Sequence, residues 1–275
     1  MTALGQRWAT DRGFHIAETS HHSLVLIDGV GQGYFGSRGE FLEFVDTSDA
    51  YAFVGDAKYA YDYRWTFPSR LGNEENRGFN WEPESSNPAN TYRALENPVQ
   101  RAFRSLVLAR GQNPYVLIVD DIQKDNSQHL YEWLLQTPDV VVQKRSSGNE
   151  MILGLTNAGP TDPELLVRVL DFEGAPKLTF QTYDIRRSPN TGSAESFGQG
   201  KRLVVSTRAV APQFKILLYP YRPGSSLPVT TWQSEGEDLV IEGLGHRDEF
   251  HFESQADGKT DIRFTRDGAV VLATD

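Results

Sequence analysis

The chain has 275 residues, no cysteine, a formal net charge of −10 and 39% hydrophobic residues. Disulfide and thiol chemistry are therefore excluded, and no apolar run approaches the roughly 18 residues that carry a helix across a bilayer. The acidic balance argues against nucleic acid or an anionic membrane surface as a partner, since both reward a basic face.

The opening MTALGQRWATDRGF has neither the basic start nor the apolar stretch of a secretory signal, so export is expected to need sequence beyond it. Short β-branched or aromatic runs then recur with turn signals between them: SLVLIDG at 23–29, AYAFVGD at 50–56, SLVLARG at 105–111 and YVLIVDD at 115–121. The series continues with VVVQKR at 140–145, LLVRVLDF at 165–172, RLVVSTRA at 202–209, FKILLYPY at 214–221, DLVIEGL at 238–244, DEFHFES at 248–254 and DIRFTRD at 261–267. This pattern predicts an all-β fold, a large antiparallel two-sheet sandwich formed as one domain over 1–275. Helical periodicity is nearly absent. LYEWLLQ at 130–136 reads equally as a helix turn or a strand, because a short apolar run does not decide its own period.

Two stretches break the rhythm. Residues 68–100 are rich in Pro, Asn, Gly and Glu but hold Phe79, Trp81 and Tyr92, so they are expected to form an ordered excursion over one end of a sheet. Residues 188–201, SPNTGSAESFGQGK, read as a mobile connection.

Charge is unevenly spread. Arg64 to Arg110 holds seven Arg and no Lys against five Glu, whereas residues 1–63 hold four basic against nine acidic side chains. Arginine suits bidentate recognition of carboxylate or sulfate, although a solvated loop with ordinary ion pairs would have the same composition.

Several residues are of a type that carries chemistry. His21 and His22 precede a strand ending in Asp28-Gly29; by strand alternation only one of them faces a given site, His22 in phase with Leu24 and Leu26 and His21 with Val25 and Ile27. Without cysteine, a metal would need His with Asp or Glu. The segment from Phe53 to Trp65 packs Asp56, Tyr59, Tyr61, Arg64 and Trp65 closely, as a sugar site does when aromatic faces meet C–H groups and an Arg meets a carboxylate. An aromatic cluster at a strand end has the same composition.

The run SHHSLVLIDGVGQG, then GEFLEFVDTSDAYAFVGDAKYAY, FRSLVLARGQNPYVLIVDDI and HLYEWLLQT, resembles the C-terminal β-sandwich domain of the heparinase II/III superfamily of polysaccharide lyases. Its members show, in this order, a His-Asn-Thr strand ending in Asp-Gly, a Gly-Asp-Ala turn before a Tyr, an Arg-led strand and a Val-Asp-Asp strand end. The likeness covers residues 7–140. It implies β-elimination on uronic-acid-containing glycans such as glycosaminoglycans or alginate, with an acidic polysaccharide or oligosaccharide as partner and an α/α-toroid domain, in trans or in a longer parent, supplying further catalytic groups. A periplasmic or secreted location follows if the parent is exported. By alignment, His22, Tyr61 and Tyr59 are the catalytic candidates, and Arg64, Arg104, His21 and Trp65 the substrate-binding ones. The resemblance also brings in a divalent metal, zinc or calcium, with His22 and Asp56 as ligands. Departures weigh against a complete metal site: Ser105 and Gln136 stand where members carry histidines, and His22-Ser23-Leu24 replaces His-Asn-Thr. A non-catalytic carbohydrate-binding or accessory module on the same scaffold is the alternative.

Overall fold

In the strand Tyr115–Gln123, nearly every residue is buried whichever way it points, so both faces must be covered. They are covered by different sheets. In this computed structural model, which describes residues 1–11, 19–33, 39–66, 82–83, 92–171, 176–186, 196–234 and 237–274, the strand lies inside an eight-stranded antiparallel sheet. Among the described residues strand accounts for 62% and helix for 4%, against a usual helical share of about a third, so the fold is all-β as the pattern predicts.

Alternation along the central strands sorts the core into two layers. On one face Ile118, Ile122, Val167, Val169, Phe214 and Ile216 pack against Val25, Ile27, Tyr131, Trp133, Leu203 and Val205 of a four-stranded sheet. On the other, Leu117, Val119, Leu166, Leu217 and Tyr219 meet Leu239, Ile241, Phe250, Ile262 and Phe264. Those partners belong to a five-stranded sheet whose strands, from Val229–Ser234 to Ala269–Ala273, follow one another in sequence order. The expected sandwich is present, and the C-terminal sheet adds a third layer. A sheet covered on both faces reads as continuous apolar sequence, which is why YVLIVDD and FKILLYPY lack clean alternation.

Some local expectations change. LYEWLLQ is strand, within His129–Thr137, because it pairs on one side with Val25–Ile27 and on the other with Ser196–Ala209. The strand after the histidines spans Val25–Ile27 alone and His21 ends a 3-10 turn, Thr19–His21, so strand alternation does not reach His21 or His22. Tyr59 and Tyr61 sit on a short helix, Lys58–Asp62. Most of 68–100 lies outside the described residues; Tyr92–Leu95 pairs on one side with Tyr63–Thr66 and on the other with Glu82–Pro83 in a small sheet. Of the 188–201 connection, residues from 196 onward already form the long strand Ser196–Ala209.

Candidate functional site

Strand register brings three of the sequence motifs into one line. Across the central sheet Phe41 pairs with Gly55, Gly55 with Arg104, and Arg104 with Asp120. Residues directly opposite one another share a face, so these four form a row on the side of the four-stranded sheet. Gly55 contributes no side chain to it. The gap lies in the wall of a cavity of about 300 Å³, also lined by Leu24, Val25, Asp56 and Tyr61.

The row is held by charge. Arg104 Nε and Nη2 donate to the two oxygens of Asp120 at 2.6 and 2.8 Å, and Nη1 donates to the Ser23 carbonyl at 2.6 Å. Trp133 Nε1 adds a donor to Asp120 at 2.8 Å. Burial works against the Arg104 cation, but the attraction and hydrogen bonds of Asp120 outweigh it and raise the pKa further. Three of the five guanidinium N–H donors are engaged in this way, and two remain for a ligand.

Tyr61, 2% exposed, donates its hydroxyl to the Val25 carbonyl at 2.6 Å. Burial pushes its phenol well above the ordinary value, and nearby Arg104 only partly offsets this. Tyr61 is thus at the cavity but in a setting that opposes the phenolate a base would need. The short helix that carries it starts where Asp56 accepts the Lys58 backbone N–H at 2.7 Å. Lys58 in turn pairs with Asp62 at 2.6 Å. Tyr59, one step along the helix, instead packs its ring 5.0 Å from Tyr63 and is not part of the cavity lining.

The histidines lie beside the row rather than in it. His22 Nδ1 is 2.7 Å from Asp11 Oδ2. His21 is buried and stacks on Tyr183 at 5.4 Å, with the Arg202 guanidinium 4.5 Å from the centroid of the same tyrosine ring. Gln136 ties this corner together: Nε2 donates to the carbonyls of Ser20 and His22 at 3.0 and 3.2 Å, Oε1 accepts from the Tyr183 hydroxyl at 2.5 Å, and its backbone N–H donates to Ser23 Oγ at 3.0 Å. Ser23 therefore links the histidine turn, through its hydroxyl and its carbonyl, to Gln136 and Arg104. Arg64 and Trp65 lie on the strand Tyr63–Thr66, with side chains outside the described residues. Among the described residues no three His, Asp or Glu side chains cluster in a way that could hold a metal ion, and the proposed ligands His22 and Asp56 bond to Asp11 and to a backbone amide.

Sequence reasoning missed Asp120 as the partner of Arg104, Asp11 as the partner of His22, and Gly55 as the opening. Asp120 had a signal, since an acid inside an apolar strand calls for a buried cation. The others depend on tertiary register.

The fold is shared with part of a heparan sulfate lyase. A mutant of heparan sulfate lyase HepC from Pedobacter heparinus superimposes with a TM-score of 0.51 at 10% identity, covering 98% of this chain and 35% of that one. The unmutated HepC gives 0.48 at 10% identity with the same coverage, and a heparinase III gives 0.48 at 12% over 94% of this chain and 30% of its own. The chain spans about a third of the length of these enzymes. No family model matches it, and no curated protein does. At this identity the HepC likeness establishes the fold, an all-β sandwich of the kind the motif order implied.

Proposed function

We propose that this chain is the β-sandwich part of a polysaccharide lyase that cleaves uronic-acid-containing glycans by β-elimination together with an α/α-toroid domain. The observation that carries the reading is the convergence of the four motif segments on one cavity. Ser23 to Val25, Gly55 to Ala57, Arg104 and Asp120 all meet there, and Tyr61 fastens the first segment to the second.

Elimination removes the proton on C5 next to the uronate carboxyl group and expels the 4-linked sugar. It requires a base at that proton and neutralisation of the carboxylate. In this reading His22 is the sandwich's imidazole. A neutral ring donating from Nδ1 to Asp11 keeps its lone pair on Nε2, the atom that would take the proton. Tyr61 serves position rather than proton transfer. Among the described residues the cavity lining holds Glu40, Asp56 and Asp120 against one cation, Arg104, so neutralising the uronate calls for further cations, with Arg64 and the toroid as the candidates.

The test is release of unsaturated uronate from heparan sulfate, heparin and alginate, read by ultraviolet absorbance. The expected result is no turnover by the chain alone and turnover when a toroid lyase domain is supplied, abolished by His22→Ala. Turnover by the isolated chain would overturn the division of labour. Glycan binding without product under every condition would replace the lyase reading by an accessory carbohydrate-binding module.

A further inference from the structure

We infer that Gln136 is the positioning residue of the Asp11–His22 pair: it holds the backbone on both sides of that pair and so fixes the tautomer and the place of the His22 ring. The inference rests on the reading of His22 as the sandwich's imidazole. Asp11 and His22 belong to separate segments and meet at the surface through a 2.7 Å contact, with the Asp11 side chain 67% exposed and that of His22 21%. An exposed pair of this kind contributes little by itself, so it does not set its own geometry.

The backbone of Gln136 supplies what the pair lacks. The strand Val25–Ile27 is short, while its neighbour His129–Thr137 runs on past it. Leu134 N–H still meets the Leu24 carbonyl at 2.9 Å. Beyond that point, among the described residues, no strand continues the ladder on this side, and Gln136 turns to the two segments that carry the pair. Its N–H donates to Ser23 Oγ at 3.0 Å, next to His22, and its carbonyl accepts the Thr10 N–H at 3.0 Å, next to Asp11.

The side chain completes the hold. Gln136 is fully buried, and a buried amide must satisfy its donors and its acceptor. Nε2 directs its hydrogens to the carbonyls of Ser20 at 3.0 Å and His22 at 3.2 Å, while Oε1 accepts the Tyr183 hydroxyl at 2.5 Å. Carbonyls cannot donate, so only this orientation of the amide fits its partners, and Tyr183 locks it. Arg202 Nη1 grips the same Ser20 carbonyl at 2.7 Å. A carboxylate beside Nδ1 favours the proton on that nitrogen. Displacing either segment opens the 2.7 Å contact and removes the preference.

The experiment reads the ring itself, through the ring-nitrogen chemical shifts of the histidines in the full chain at about pH 8.5, where an ordinary histidine is neutral. The His22 signals are assigned by their loss in His22→Ala. The unaltered chain is expected to hold His22 in the Nδ1–H form. Gln136→Met, which keeps the length and removes the amide, should turn this into a mixture of both tautomers, as Asp11→Ala does, while the signals of His129 and His251 stay in place. Tyr183→Phe removes the hydroxyl that locks the amide; it should shift the His22 population in the same direction, and it carries the test if Gln136→Met does not fold. With a toroid lyase domain supplied, Gln136→Met should lower kcat by about 100-fold with KM within about twofold. A ring that keeps one tautomer in both variants, or shows no Nδ1–H preference in the unaltered chain, would overturn the inference. So would a rise in KM with kcat unchanged, the mark of a lost binding contact. The two readings fail separately: absence of turnover by the unaltered chain with a toroid counts against the lyase, and the ring-nitrogen shifts then decide the role of Gln136.

Discussion

Tyr115 in the central sheet donates its hydroxyl to Asp248 in the C-terminal sheet at 2.6 Å, a hydrogen bond between two side chains with almost no exposure to water. Arg266 grips the same carboxylate with two hydrogen bonds at 2.7 and 2.8 Å, and His246 stands 3.2 Å from it. Burial and the adjacent Asp248 charge raise the Tyr115 pKa, so the phenol remains a donor. This network fixes the third layer to the second. Asp248→Leu would leave the Arg266 cation without its carboxylate, and breaking such a buried pair typically costs about 3–5 kcal/mol. Urea unfolding should show a loss of that size; a loss below about 1 kcal/mol would mean the apolar contacts hold the layer unaided.

Arg104 and Asp120 are expected to behave the same way, with a diagnostic twist. Asp120→Asn should destabilise strongly because it leaves a mostly buried guanidinium without its counter-charge. The double change Arg104→Met with Asp120→Leu removes both charges and should recover part of that loss, since apolar replacements of similar volume are often neutral or better. The comparison is of urea midpoints for single and double variants. Additive losses would mean that Ser23 and Trp133, not the ion pair, dominate.

His129 gives the stability a pH dependence. Its Nε2 lies 2.9 Å from Asp125 and its Nδ1 2.6 Å from Asp28, and its pKa is raised, first by the hydrogen bond to Asp125, with burial opposing and Asp28 adding. A group whose folded pKa exceeds its unfolded value of about 6.5 stabilises fully below that value and loses the contribution as pH rises through the folded pKa. The unfolding midpoint of the protein should therefore fall across the window above about pH 6.5. Subtracting the profile of His129→Gln should isolate that fall; identical profiles would remove His129 as its source.

How much of this was legible in the sequence depended on how local the cause was. Strands such as YVLIVDD and DEFHFES declare themselves through side-chain type, and the motif order brought the right segments to attention. The row Phe41–Gly55–Arg104–Asp120 was not legible, because it depends on the mutual register of four strands. The third layer was hidden for a related reason: nothing in DLVIEGL says which sheet its apolar face will cover. His21 and His22 were misassigned to strand alternation because a 3-10 turn intervenes, and a turn of three residues leaves no periodic trace.

Zinc should bind weakly or not at all. The motif likeness offers His22 as a ligand, but its Nδ1 meets Asp11, Gln136 is tied to Ser20 and Tyr183, and Ser105 supplies no imidazole. Elemental analysis after dialysis against zinc is the check. Stoichiometric metal that disappears in His22→Ala would show that other residues complete a site around this histidine.

Gly55 offers a way to separate the cavity from the fold. A Cβ built there would lie 3.6 Å from the Glu40 carbonyl oxygen and 3.9 Å from the Phe53 ring, both ordinary contact distances, and its backbone needs no left-handed conformation. Gly55→Ala should therefore be accepted, and should raise stability by about 0.4–1 kcal/mol because the unfolded chain loses freedom that the folded strand does not use. Gly55→Leu would send its side chain into the opening between Phe41 and Arg104. If the cavity receives a ligand group, that substitution should cut binding of the ligand by about tenfold or more while thermal unfolding stays close to that of Gly55→Ala. A Leu variant that folds normally and binds unchanged would assign the cavity to packing alone, and with it the convergence of motifs around Arg104 to architecture rather than recognition.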